Sequence, residues 1–395
     1  MKYISLFVLM FSVVTMAKSQ YCDPATENCP NAIISAVPFL RIVPDARSAA
    51  MGDGGIGISA DANSMHFNAS KLAFVENDLG LAASYSPWLR SLGLQDVYLA
   101  YLAGYKKIGE NQTLGASLRF FSLGALEFTD INGLSLGQGN PNEFEVAVAY
   151  ARKLSTKFSA GLTGKFIYSN LAGGQQIDNI DIVPATSGAV DISFTYENPI
   201  KIAEGGILRI GAAFNNIGSK VSYTKSEFKD FIPGNLGLGA ALEMNFDDYN
   251  QLTFLLDFNK LLVPTPIDPT SEDYDKNMND YPDFREKPLF EGIFGSFTDA
   301  PGGFKEEMRE ISFSVGTEYW YNKQFAFRAG YFYEHPTKGN RQFLTAGLGL
   351  KYNIFGLNIS YLVPTSNQRS PLDSTLRFTL MFHFDEKKDA PAATN

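Results

Sequence analysis

Cysteine, histidine and tryptophan are scarce, at 2, 3 and 2 in 395 residues, and charged side chains make up only 19%. Beyond the first twenty residues no apolar run reaches the ~18 to 20 residues that a membrane-crossing helix needs, which excludes a helical membrane protein. Basic charge is also short. Lys+Arg number 33 against 42 Asp+Glu, a net charge of -9. Residues 1–19 read as an export signal: Lys2, an apolar run from Ile4 to Met16, then Ala17-Lys18-Ser19 before cleavage near Gln20. Its removal takes Lys2 and Lys18, leaving 31 basic against 42 acidic residues and a charge of -11. A basic nucleic-acid binder is disfavoured. Cys22 and Cys29, seven positions apart in the exported chain, point to a small disulfide-closed loop rather than a metal site. Lipid anchoring at Cys22 is the rival reading, and Tyr21 argues against it by filling a position where a small residue is expected.

What is abundant is aromatic and small: 32 Phe, 19 Tyr and 35 Gly. From residue 78 the chain resolves into fourteen segments in which apolar and small or polar residues alternate. They run 78–88, 97–107, 112–122, 142–152, 158–169, 187–197, 207–216, 234–246, 250–262, 310–321, 324–334, 341–352, 355–364 and 374–384. In the last, Leu376, Phe378, Leu380, Phe382 and Phe384 share one face, while Thr375, Arg377, Thr379, Met381 and His383 share the other. The sixth sets Val190, Ile192, Phe194 and Tyr196 against Asp191, Ser193, Thr195 and Glu197. The tenth sets Ile311, Phe313, Val315 and Tyr319 against Ser312, Ser314, Gly316 and Glu318.

Alternation alone also suits a soluble sandwich. Strand length and the parity of the connections favour a transmembrane barrel, which needs strands of ~9 to 11 residues and alternates short turns with long loops. Connections after even-numbered strands are short, and those after odd-numbered strands are mostly long. The expected fold is all-β: a 14-stranded antiparallel transmembrane β-barrel over 78–384, with residues 20–77 as an N-terminal luminal plug and 385–395 as a polar periplasmic tail. The parity puts both termini and the short turns in the periplasm and the long loops outside. Fourteen strands enclose more space than wall side chains fill, so the non-alternating 20–77 segment is given the lumen. Inward-facing Arg119, Glu145, Lys165, Asp191, Arg209, Glu243, Asp257, Glu318, Arg328 and Arg377 then either hold this plug or pair across the wall. Leu380→Arg, facing lipid, is expected to cost ~2 to 4 kcal/mol if it lies at the bilayer midplane, and Thr379→Arg, facing the lumen, less.

Val37-Pro38-Phe39-Leu40-Arg41-Ile42-Val43-Pro44-Asp45-Ala46-Arg47-Ser48, continuing through Met51-Gly52-Asp53 to Ser59-Ala60-Asp61-Ala62-Asn63-Ser64, resembles the N-terminal signature of the PorV family. Tyr331 to Arg341 and Ser360 to Thr365 look like the same family near the other end. One departure stands at Phe67-Asn68, where Ala69 takes the place of the usual proline and frees backbone φ. The resemblance implies an outer-membrane barrel of the type IX secretion system, related in fold to long-chain fatty-acid transporters. It implies binding and handover rather than bond chemistry. The partners would be cargo proteins held through their C-terminal signal domain, the translocon barrel they leave, a surface attachment complex with a sortase-like transpeptidase, and outer-membrane lipid. A transporter of hydrophobic compounds is the alternative, and a lipid A deacylase a second.

The deacylase reading needs a nucleophile. Gly133-Leu134-Ser135-Leu136-Gly137 matches a hydrolase elbow, which requires a strand-turn-helix context. Of the three histidines, His66, His335 and His383, His335 shares the predicted outer rim, which makes Ser135/His335 the pair to examine. Gly52-x-Gly54-x-x-Gly57 matches a dinucleotide fingerprint in spacing only and reads as a tight plug turn using glycine's positive φ. The acidic stretch Asp268, Glu272, Asp273, Asp275, Asp280 and Asp283 lacks the calcium-loop pattern. No cofactor or metal is expected. Leu289, Phe290, Ile293, Phe294 and Phe297 recur at helix-face spacing in the same long loop. They either bind a partner or cap the barrel's own mouth.

Overall fold

The computed structural model describes residues 30–89, 93–129, 134–172, 176–177, 180–201, 205–224, 228–269, 271–279, 281–366 and 375–385. The export signal, Cys22, Cys29, Asp280 and the tail after Asp385 lie outside them. Fourteen strands form one closed antiparallel barrel: β1 Leu79–Pro87, β2 Val97–Lys107, β3 Gln112–Leu123, β4 Asn142–Lys153, β5 Phe158–Asn170, β6 Ala185–Ile200, β7 Gly206–Gly218, β8 Asn235–Asn245, β9 Asn250–Leu261, β10 Ser312–Tyr321, β11 Phe325–Tyr333, β12 Gln342–Tyr352, β13 Phe355–Pro364 and β14 Leu376–Phe384. β1 pairs with β14, Leu79 opposite Phe384, so the sheet has no free edge. The sequence pattern places all fourteen within a few residues. It misses the extra length of β6 and β7, and two small hairpins inside the long connections, Leu126–Thr129 with Ser135–Gly139 and Gln176–Ile177 with Ile180–Asp181.

The two-residue period sorts the wall. In β14, Arg377 and Thr379 are buried toward the lumen while Leu376, Phe378 and Leu380 are exposed outward. In a bilayer those exposed rows meet hydrocarbon. Aromatic pairs such as Tyr85–Tyr98 and Phe313–Tyr333 meet toward one rim, and Phe355–Phe382, edge to face, toward the other. Short connections follow even-numbered strands. The one between β10 and β11 is the three-residue connection 322–324, in which Gln324 N donates to Tyr321 O across Asn322 and Lys323, both left-handed at φ 53° and 51°. The rim with these connections is called the turn end, and the opposite rim the loop end.

Residues 30–78 thread the lumen from one rim to the other. Asn31 N donates to Thr337 O and Ala36 N to Phe231 O at the loop end, and Lys107 N donates to Asp78 O at the turn end. The first described residues therefore stand opposite the short turns, whereas the sequence reading sets the N-terminus beside them. Loop parity locates the start of β1 but carries no information on a plug that enters from the far mouth. Thr379 brings a second correction. It is fully buried, and its Oγ1 accepts from the plug's Ala46 N at 2.8 Å and lies 2.8 Å from Ser84 Oγ. An arginine there meets the plug rather than open lumen, so the milder penalty expected for Thr379→Arg does not hold.

Candidate functional site

The plug holds little regular structure: a 3-10 turn at Pro38–Arg41, helical turns at Ala46–Ala49 and Ser64–Phe67, and a 3-10 stretch at Ala69–Phe74. Its position comes from contacts with the wall. Arg47 donates to both carboxylate oxygens of Glu318, at 2.9 and 2.7 Å, and to Asp61 at 2.9 Å, while Arg328 grips Glu318 from the wall side at 2.6 Å. Gly55 N and Ile56 N donate to Asp257 Oδ2 at 2.7 and 2.8 Å. Arg377 donates to Asp53, and Arg119 donates to Leu40 O and lies against His66. Of the ten inward charges read from the sequence, these four (Arg119, Asp257, Glu318 and Arg377) touch the plug. The others bond across the wall, as in Lys165–Asp191 and Arg209–Glu243. Both expectations for that set are met, and Glu318 meets them at once, between Arg47 of the plug and Arg328 of the wall.

Close packing completes the seat. Gly52 has φ +72°, and a Cβ there would lie 2.6 Å from Tyr331 O. Gly57 would meet the Ala240 backbone at 2.8 Å. Of the fingerprint glycines only Gly52 uses positive φ; Gly54 and Gly57 are small because the wall is near. Asn68, just before Ala69, ties this turn to the wall and to the plug itself, its side chain accepting from Ser70 N and donating to Thr195 Oγ1 and Ile56 O.

Over the loop end lies the connection 262–311. Its last helical stretch, Phe304–Arg309, is clamped to the rim: Lys260 pairs with Glu307 at 2.9 Å and Glu310 at 2.6 Å, and Lys338 with Glu306 and Glu310. The predicted apolar helix is present at Leu289–Gly295. Pro288 precedes it, Glu291 sits in the favourable first turn, and Ser296 Oγ closes it on Ile293 O. Its five apolar positions do not share one environment. At 100° per residue they span roughly 140°, too wide to face one way. Ile293 is buried, Gly292 lies against Phe231 and Pro264, and Leu289 is half-buried. Phe290 at 64%, Phe294 at 71% and Phe297 at 41% are exposed. The helix thus caps the mouth with one edge and displays phenylalanines on the other. Phe304 at 80% and Met308 at 51% add to that exposed surface. Their i, i+4 spacing is the sequence signal for them.

Beneath the cap is a luminal cavity of about 120 Å³, bordered by Arg41, His66, Lys165, Asp257, Glu334 and Arg341 as well as Leu40, Ile56 and Phe332. Although burial pushes its carboxyl up, Arg341 at 2.8 Å and Arg41 at 3.2 Å hold Glu334 below the usual carboxylate range. The cavity is small and edged by fixed charge.

The profile of the family described as Type IX secretion system protein PorV matches residues 24–268. The chain belongs to the PorV family. It is an outer-membrane protein with a type IX secretion role. Among solved structures, the Ralstonia pickettii toluene transporter TbuX is similar at 13% identity and a TM-score of 0.50, covering 86% of this chain and 98% of that one. The P. putida toluene transporter TodX gives 13%, 0.49, 86% and 98%, and a Pseudomonas aeruginosa FadL homologue 10%, 0.45, 90% and 100%. At that identity the TbuX likeness establishes the fold alone. No curated protein sequence matches.

The remaining motifs of this PorV-family chain find ordinary places. Ser135 begins a hairpin strand, its Oγ accepts from Gly137 N, and no helix follows it, so the elbow context is missing. His335 Nδ1 accepts from Thr337 N and caps the turn Pro336–Lys338. No hydrogen bond joins Ser135 and His335 among the described residues. In the acidic stretch Asp273 pairs with Lys276, and Asp275 accepts from Asn279 N.

Proposed function

We propose that this PorV-family barrel is a cargo-binding shuttle of the type IX system. It takes exported proteins by their C-terminal signal domain as they leave the translocon barrel and delivers them to the surface attachment complex with its sortase-like transpeptidase. The loop end faces outward and the turn end faces the periplasm. The observation that carries the reading is the pairing of a plugged lumen with an exposed aromatic cap. The plug is bound by buried ion pairs, whereas Phe290 and Phe294 stand in the open and Phe297, beside Lys260, is partly so. Apolar side chains at helix spacing suit insertion into a partner's groove. Catalysis has no part in this role.

The test is affinity isolation from native outer membranes. The wild-type chain should recover the translocon and cargo, and the Phe290→Asp, Phe294→Asp double variant should insert normally but lose both. Unchanged recovery would count against the cap as the docking surface. A second reading, transport of hydrophobic compounds, draws on the fold shared with TbuX, which is a toluene transporter. The charge-edged cavity offers such a solute poor passage. Proteoliposomes that take up toluene at a rate sensitive to Arg47→Ala would favour it, and recovery of the chain with no large partner would point the same way.

A further inference from the structure

Outward positions of the wall should carry no charge, since each would stand in or beside lipid. Among the described strand residues two exposed ones depart from this, Lys106 on β2 and Arg152 on β4; Lys260 on β9 also falls on the outward row but is buried by its pairing with Glu307 and Glu310. They lie at the turn end, two strands apart. In the register Lys106 stands opposite Leu114, Leu114 opposite Tyr150, and Gln112 opposite Arg152, so the exposed Leu114 as well as the polar Tyr150 and Gln112 lie between the two cations. Tyr150 Oη donates to Gln112 Oε1 at 2.8 Å, which turns the carbonyl toward the tyrosine and leaves the amide N–H groups for another acceptor. Toward the barrel's middle the rows become wholly apolar, with Leu102, Leu118, Val148 and Leu162 exposed.

The rest of that rim is built differently. From β8 to β14 that rim is rich in aromatics, with Phe246, Tyr249, Tyr321, Phe325, Tyr352 and Phe355 all exposed, and its outward strand positions carry leucines and Asn250, which accepts from Tyr319 Oη, but no charge. A ring of Tyr and Phe is the ordinary interfacial anchor. On β2 to β4 two cations and an amide take its place. We propose that this sector is a binding site for an anionic glycerophospholipid. Its phosphodiester oxygens accept from Arg152, Lys106 and the Gln112 amide, and its acyl chains lie along the leucine and valine rows. The site's leaflet rests on the orientation given above: a turn end in the periplasm meets phospholipid of the inner leaflet. Glu110, exposed in the adjoining turn, is the carboxylate that disfavours a second anion there.

The test uses the purified full-length barrel in uncharged detergent with palmitoyl-oleoyl-phosphatidylglycerol, read by native mass spectrometry. Loss of two interfacial cations in Lys106→Gln, Arg152→Gln should weaken retention roughly ten- to thirtyfold. Lys323→Gln, Lys351→Gln, at the same rim on the aromatic side, should leave it unchanged, and Arg152→Lys should restore most of the loss. Equal retention by wild type and the first variant, or an equal fall in the second, overturns the site. Diphosphoryl lipid A supplies the other arm. Tighter retention of lipid A than of phosphatidylglycerol, lost in the same Lys106 and Arg152 variant, would keep the phosphate-binding site but overturn the inner-leaflet assignment and with it the orientation.

Discussion

The plug and the 283–297 stretch of the long connection are both strandless segments set against the same lumen, yet they distribute polarity in opposite ways. The plug turns its charges and backbone onto the wall, where Arg47, Asp53, Gly55 and Ile56 all end on wall partners, and buries Phe39, Leu40, Met51 and Leu72. The loop stretch packs Phe284 and Ile293 inward and leaves Phe290, Phe294 and Phe297 in the open. A segment fastened by desolvated ion pairs cannot shift without stranding charge, whereas the loop stretch is held by an apolar edge, the half-exposed Arg285–Asp230 pair and Lys220 donating to Arg285 O and Lys287 O, and keeps its other face uncovered. The first belongs to the folding of the barrel, and the second leaves a surface for the recognition proposed above.

The comparison breaks most visibly at Arg47. Arg47→Ala leaves Asp61 and half of Glu318 unpaired in a buried site, which should cost about 3 to 5 kcal/mol. Denaturant unfolding of the refolded protein reads this directly. A loss below about 1 kcal/mol would mean the pair is as weak as a surface contact and the plug is held by something else. Next in size is Leu380→Arg on the lipid side, at ~2 to 4 kcal/mol if it reaches the midplane. Thr379→Arg should match it for a different reason, because it displaces Ala46. Limited proteolysis separates the two: the plug should become cleavable in the Thr379 variant and remain protected in the Leu380 variant.

Acid should divide the plug's own groups. Burial and the cations Arg119, Lys165 and Arg377 hold His66 well below the ordinary imidazole value, so the unfolded chain takes up a proton that the folded one refuses. Stability from this source falls as pH drops below about 6.5. Burial and Asp61 push Asp45 up to about 6 from 3.8, so the folded chain gains the proton first, and stability from this source rises as pH falls through that window. His66→Gln should therefore make the plug firmer on going from pH 6.5 to 5, and Asp45→Asn should make it looser. Identical pH slopes for the two variants and the wild type would show that neither group is seated as described.

The barrel was legible because alternation, strand length and turn parity all follow from a bilayer on one side of a wall. The plug was legible only as a leftover segment. Its direction was not, because nothing in 20–77 marks which mouth it enters, and Val37 adopts φ 46°, a left-handed backbone that a β-branched residue rarely takes. The ion pairs that hold it join residues such as 47 and 318, whose proximity only closure of the sheet creates. At the cap, the sequence marks five apolar residues at helix-face spacing but not how they divide. An apolar arc that wide on a short helix must divide between core and surface, and periodicity does not say which edge goes where.

The smallest expected effect is the one that sharpens the comparison most. Phe290→Asp and Phe294→Asp replace side chains already in solvent, so unfolding should change by no more than about 0.5 kcal/mol. Ile293→Asp, one position away on the buried edge, should cost several times more, because a carboxylate would take a buried apolar position. If the phenylalanine variants instead destabilise the barrel as strongly as Ile293→Asp, those rings are packed in the membrane-embedded protein. The cap would then be a lid closed over its own mouth, with no surface left over for a partner.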